Sequence, residues 1–84
     1  MKNFVILMNS KCPLGLDILT RPEVDRKISW QVSGGARRED FTICEVRDGK
    51  LYDIASNKMH EPINGMFTAD AWEDYLNKLK EGRA

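Results

Sequence analysis

Phe41-Thr42-Ile43-Cys44-Glu45-Val46-Arg47-Asp48-Gly49-Lys50-Leu51-Tyr52-Asp53-Ile54 decides the fold of this chain. A two-residue type I′ turn needs positive φ at both central positions, and Asp-Gly tolerates it, so Asp48-Gly49 predicts a tight hairpin. In that register Val46 faces Leu51, Glu45 faces Tyr52 and Ile43 faces Ile54. Side chains alternate between the faces of a sheet, so Cys44, Val46 and Leu51 share the core face and Tyr52 lies on the other.

Upstream, Phe4-Val5-Ile6-Leu7-Met8 is a continuous apolar run, the pattern of a central strand covered on both faces. The turn formers of Asn9 to Gly15 predict a loop, and Pro13 holds Cys12 extended. Residues 14–27 give no clear period, although Thr20 suits a helix cap with Pro22 in the first turn. Ile28, Trp30 and Val32 alternate with Ser29 and Gln31, the two-residue period of a half-buried strand with Trp30 on the core face. Ser33-Gly34-Gly35-Ala36 and Arg37 to Asp40 then read as the loop of a wide hairpin that returns at Phe41.

Downstream, Ser56 to Gly65 reads as an irregular connection. Thr68 is a good N-cap, and Trp72, Tyr75, Leu76 and Leu79 fall at i, i+3, i+4 and i+7, one apolar stripe of a C-terminal helix. Asp70 and Asp74 lie toward its positive end, Lys78, Lys80 and Arg83 toward its negative end, and Gly82 supplies the stop. The expected architecture is a single compact α+β domain over residues 1–84. It is a three- or four-stranded, mainly antiparallel sheet with the C-terminal helix packed on one face.

Composition supports one such core, with 84 residues of which 42% are hydrophobic and 31% charged. No apolar run approaches the ~20 residues of a membrane-spanning helix. The N-terminal run lacks the flanks of a signal peptide, which predicts a cytoplasmic protein. Cys12 and Cys44 match no zinc or CxxC spacing, so both read as reduced thiols, and no metal or cofactor is expected. Thirteen basic residues balance thirteen acidic ones, which argues against bulk attraction to nucleic acid or anionic lipid. The halves nevertheless differ, with seven Lys or Arg against three Asp or Glu up to Arg38 and six against ten beyond it.

The sequence offers little for catalysis. His60 is the one histidine, so any thiol dyad pairs it with Cys44, whose place in a core strand raises its pKa and makes it inert. Glu45, Asp48 and Asp53 cluster on the hairpin but read as solvated strand and turn carboxylates. Ser33-Gly34-Gly35 lacks the spacing of a phosphate-binding loop. The expectation is a protein that is not an enzyme.

Two surfaces carry binding chemistry instead. Arg26, Lys27, Trp30, Arg37 and Arg38 would gather an aromatic among cations if residues 28–43 formed a hairpin, as in a stacking surface for single-stranded nucleic acid. Asp70, Glu73, Asp74 and Glu81 on the outer face of the last helix could mimic phosphates in a basic groove. For a protein partner the contact residues expected are Arg37, Arg38, Glu39, Asp70, Glu73 and Asp74, and an exposed sheet edge would allow a homodimer.

Cys44-Glu45-Val46, Asp53, Ser56, Pro62 and Gly65, followed by Phe67-Thr68-(x)3-Trp72-(x)2-Tyr75-(x)6-Gly82, resemble a small bacterial domain family of unknown function. The family includes the BldB-like developmental regulators of actinomycetes. Trp30 and Ser33 match its W-x-x-S element loosely. The chain departs from the family by an insertion at Arg37 to Thr42, by Ile43-Cys44-Glu45 in place of Cys-Val-Glu, and by its added N-terminal strand. The resemblance, which spans about residues 30–82, implies a non-enzymatic regulator and brings no catalytic residues. The function expected is therefore a small regulator or inhibitor that occludes a surface of a larger bacterial protein or protein–nucleic acid complex. An antitoxin, a regulator partner and a phage-encoded inhibitor of host defence are examples. The alternative is a single-stranded nucleic-acid-binding module built around Trp30.

Overall fold

The structure is a computed structural model that describes residues 2–81. Its centre is a five-stranded antiparallel sheet in the order β2-β1-β3-β4-β5, formed by β1 (Phe4–Met8), β2 (Cys12–Pro13), β3 (Phe41–Arg47), β4 (Lys50–Asp53) and β5 (Met59–His60). Helix α1 (Arg21–Ser33) and helix α2 (Ala69–Glu81) pack on opposite faces of it. The α+β class holds, with five strands in place of three or four and two helices in place of one.

The Asp48-Gly49 hairpin forms as its sequence requires. Both residues have positive φ, 51° and 77°, and the pairs Val46↔Leu51 and Glu45↔Tyr52 fix the register. Cys44, Val46 and Leu51 join Val5 and Leu7 in one buried cluster, closed by Tyr75 and Leu79 of α2 with Trp72 and Leu76 packed at its margin. Thr68 caps that helix by accepting from the Ala71 amide at 3.2 Å. The expected stop at Gly82 and the Arg83 charge lie outside the described residues. β1 is interior, between β2 and β3, and is buried on both faces.

The turn after β1 is a second tight one. Asn9 and Ser10 both take positive φ, and the Lys11 amide donates to the Met8 carbonyl at 3.0 Å. Cys12-Pro13 therefore returns as an edge strand, not a loop. Proline suits that edge because it has no N–H to leave unpaired. Part of the connection expected over residues 56–65 likewise pairs, as β5 on the outer side of β4.

Residues 28–33 are the largest correction. Ile28, Trp30 and Val32 lie in α1, and no hairpin joins residues 28–43. Thr20 begins that helix with a full capping box. Its hydroxyl accepts from the Glu23 amide, while the Glu23 carboxylate accepts from the Thr20 amide at 2.9 Å, and Pro22 stands in the first turn. Both interactions satisfy N–H groups that a helix start would otherwise leave orphaned. Only Val24 and Ile28 of α1 are buried, one turn apart, against Ile6, Leu19, Phe41 and Ile43 on the second face of the sheet. The helix ends at Gly34 and Gly35, the latter at φ 106°, so these glycines terminate a helix instead of widening a hairpin.

Candidate docking surface

Successive residues of an α-helix are rotated by roughly 100°, so residues two apart lie almost opposite one another. With Ile28 against the sheet, Trp30 must face away from it. The residue is 79% exposed, the reverse of the core position that strand alternation assigned to it. The spacing that turns Trp30 outward also gathers its neighbours. Arg26 stands one turn before it at i−4 and Lys27 at i−3, both exposed. Ser29 and Ser33 complete a shallow trough with Asp25, Arg26 and Trp30. Asp25 is engaged by Arg21 at 3.4 Å. Among the described residues neither Arg26 nor Lys27 makes an ion pair.

Arg26, Lys27 and Trp30 are thus brought together, by helical spacing instead of a hairpin. Arg37 and Arg38 follow the end of α1 and are engaged by their own neighbours in the chain. Arg37 pairs with Glu39 at 3.6 Å. Arg38 donates to the Phe41 carbonyl at 3.2 Å within a single 3-10 turn, Arg38–Asp40. Asp70, Glu73 and Asp74 are exposed on α2, across the sheet from α1, and Asp74 is paired with Lys78 at 3.5 Å. The six residues expected to contact a protein partner therefore do not form one surface, because the sheet stands between the helix that precedes Arg37 and the helix that carries the acids.

The side chains weighed for catalysis are dispersed or occupied. Cys44 is wholly buried, and burial pushes its thiol up to about 12, with the Asp53 charge adding to the shift. His60 Nε2 lies 3.9 Å from Asp53 Oδ2 and makes no hydrogen bond among the described residues. Asp53 instead accepts from the Ala55 amide at 2.8 Å and the Ser56 hydroxyl at 3.1 Å, which hold its carboxyl below the ordinary carboxylate range. Glu45 pairs with Arg47 and Asn3. As Cys44 stands opposite Asp53 and Glu45 opposite Tyr52, Glu45 and Asp53 project from opposite faces of the sheet. No group of three or more His, Cys, Asp or Glu among the described residues is placed to hold a metal ion, and no described helix is long and apolar enough to cross a membrane.

One surface was invisible in the sequence. Leu14 lies beside Trp30, Lys27 and Gln31 in a cleft of about 180 Å³, and it also borders an apolar groove of about 360 Å³ with Met8, Cys12, Pro13, Met66 and Phe67. Leu14 and Met66 fall in segments without hydrophobic period, so no sequence pattern marks them as neighbours. Comparison with protein-family models, with characterised proteins and with solved structures finds no match for this chain.

Proposed function

We propose that this chain is a non-enzymatic docking module, a small regulator or inhibitor that occludes a surface of a larger bacterial protein, with the outer face of α1 as its contact surface and Trp30 as its anchor. The observation that carries this reading is the 79% exposure of Trp30 on a helix whose opposite face is held to the sheet by Val24 and Ile28. Trp and Arg are the residues most enriched among those that dominate binding energy, and a rigid aromatic loses little conformational freedom on contact.

A second reading, a single-stranded nucleic-acid module, draws support from Arg26 and Lys27 beside Trp30, since bases stack on aromatics set among cations. The even charge balance favours the protein reading. The test is capture of complexes from lysate of the host bacterium by wild type, Trp30→Ala and Asp74→Asn, each with and without nuclease. A stoichiometric protein partner that survives nuclease and Asp74→Asn but is lost with Trp30→Ala supports the proposal. Truncating such an anchor typically costs about 2 kcal/mol or more, roughly 30-fold in affinity. Recovery that depends on nucleic acid favours the second reading, and capture indifferent to Trp30→Ala overturns the assignment of the surface.

A further inference from the structure

The α1 face does not end at Trp30. Leu14 is the hinge of a longer strip. On one side it closes the cleft with Lys27, Trp30 and Gln31, and on the other it forms the wall of the groove between the β2 edge and the segment that carries Met66 and Phe67. The strip has a rigid aromatic at one end, Trp30. At the other it has Met66, whose side chain is 95% exposed. Met8 is partly exposed within the groove, and Met8 and Met66 together give it two unbranched, adaptable walls.

Charge is equally uneven. Arg26 and Lys27 flank the Trp30 end, and Lys11, next in the chain to Cys12, is a third exposed cation. None of the three has an ion-pair partner among the described residues, which is equally true of Lys2, Arg38, Lys50, Lys58 and Lys80; what sets Arg26 and Lys27 apart is their place beside Trp30. Asp25, the acid nearest the trough, is already engaged by Arg21. The strip is therefore apolar along the groove of Met8, Leu14 and Met66 and carries the cations Arg26 and Lys27 at its Trp30 end, Arg26 also feeling the Glu23 carboxylate one turn away.

Resting on the docking-module reading, we infer that the partner presents an extended acidic-hydrophobic peptide segment. One bulky apolar side chain of that segment enters the groove between Met8, Leu14 and Met66. A second packs on Trp30, and intervening Asp or Glu side chains pair with Arg26 and Lys27. Unpaired cations beside an apolar channel complement such a segment on both counts, and charge complementarity of this kind raises association rate and selects among partners. An extended chain rises roughly 3.3 Å per residue, so a handful of residues spans a path along one side of a domain of this size. A bare nucleic-acid strand would satisfy the rim but would leave the Met-lined groove unused.

The test begins by panning a randomised twelve-residue display library on the intact protein and synthesising the enriched sequence as the probe, with a fifteen-residue oligothymidylate for comparison. The expected result is a consensus with two bulky apolar positions separated by acidic ones. Its affinity falls at least tenfold with Met66→Ser, at least tenfold with Trp30→Ala and further with the double reversal Arg26→Glu, Lys27→Glu, while Asp74→Asn on α2 leaves it unchanged. Circular dichroism of every variant separates lost binding from lost fold. A consensus without acidic positions, or a peptide that binds Met66→Ser as tightly as wild type, overturns the strip while leaving docking through Trp30 intact. Absence of any enriched consensus also overturns the strip, and the lysate capture then decides the docking reading separately. Tighter binding of oligothymidylate than of the selected peptide overturns both.

Discussion

Tyr75 of α2 and Cys44 of β3 are buried in the same apolar cluster, 1% and 0% exposed, and the Tyr75 hydroxyl has no hydrogen-bond partner among the described residues. A buried hydroxyl without a partner carries its desolvation cost uncompensated, whereas the ring around it contributes full apolar burial. Tyr75→Phe is therefore expected to leave stability unchanged or raise it by up to about 1–2 kcal/mol. Urea unfolding followed by circular dichroism checks this, and a loss of more than about 1 kcal/mol would mean that the hydroxyl is satisfied in solution.

The same pair ties stability to alkaline pH. Burial pushes the Cys44 thiol from an ordinary 9.0 up to about 12, and burial also raises the Tyr75 phenol, with Cys44 adding to it. A raised folded-state pKa means that the unfolded chain gives up its proton first. The stabilisation is complete below pH 9 and is lost as pH climbs toward the folded values, by up to about 1.4 kcal/mol per pH unit for each group. Asp53 has the opposite sign. Its depressed pKa contributes stability above its ordinary 3.8 that disappears as pH falls below it. Denaturation midpoints from pH 3 to 11 should form a plateau with two shoulders, on the order of the neutral window common to small domains. Cys44→Ala should flatten the alkaline shoulder and Asp53→Asn the acid one.

Gly49 is not replaceable at modest cost. It sits at φ 77°, and a Cβ built there would come within 3.3 Å of the Lys80 Cα in the last turn of α2. Gly49→Ala combines left-handed strain with pressure on backbone that cannot swing aside, and should cost about 1–3 kcal/mol. Asp48→Asn, at φ 51° and without that contact, should be tolerated. Thermal unfolding of the two variants side by side gives the comparison.

Thr20→Ala removes the hydroxyl half of the capping box and should cost about 1 kcal/mol. Because α1 buries only Val24 and Ile28, it has little packing to offset the loss. Hydrogen exchange should therefore accelerate at the Val24 amide, which bonds the Thr20 carbonyl at 3.0 Å, before it does so in the sheet.

Trp30→Ala should shift stability by less than about 0.5 kcal/mol, as expected of an exposed side chain. Acrylamide should quench Trp30 efficiently and Trp72 poorly, since the latter is packed against the core. Removal of the readily quenched fraction in Trp30→Ala checks the exposure directly.

The parts of this fold written in local chemistry were legible beforehand. Asp48-Gly49 fixed a register that the strands obey, and the stripe from Trp72 to Leu79 located the face of α2. Ile28, Trp30 and Val32 misled because β-branched and aromatic residues alternating with polar ones satisfy a strand template. In a helix whose apolar stripe is only two residues wide, the competing period is hard to hear. The stronger signal lay just upstream, where Thr20 and Glu23 have the spacing of a capping box and Pro22 stands between them. A helix started at Thr20 with Ile28 against the sheet turns Trp30 outward. The groove at Leu14 and Met66 had no such signal, because it is assembled by tertiary packing of two irregular segments.

The pairing of β1 has a consequence for how the chain is made. Phe4 stands opposite Glu45 and Met8 opposite Phe41, with the whole of α1 between the two strands. On a ribosome that synthesises roughly 5–20 residues each second, Phe4 to Met8 is made seconds before the strand that will cover its far edge. During that interval the most apolar segment of the molecule has β2, Leu19 and α1 for company, but the edge and the α2 face that β3 and α2 will cover stay open. The segment is thus most prone to clump before β3 emerges, and nascent chains stalled with β1 and α1 outside the exit tunnel but Phe41 to Arg47 still inside it should recruit holdase chaperones that release once β3 has emerged.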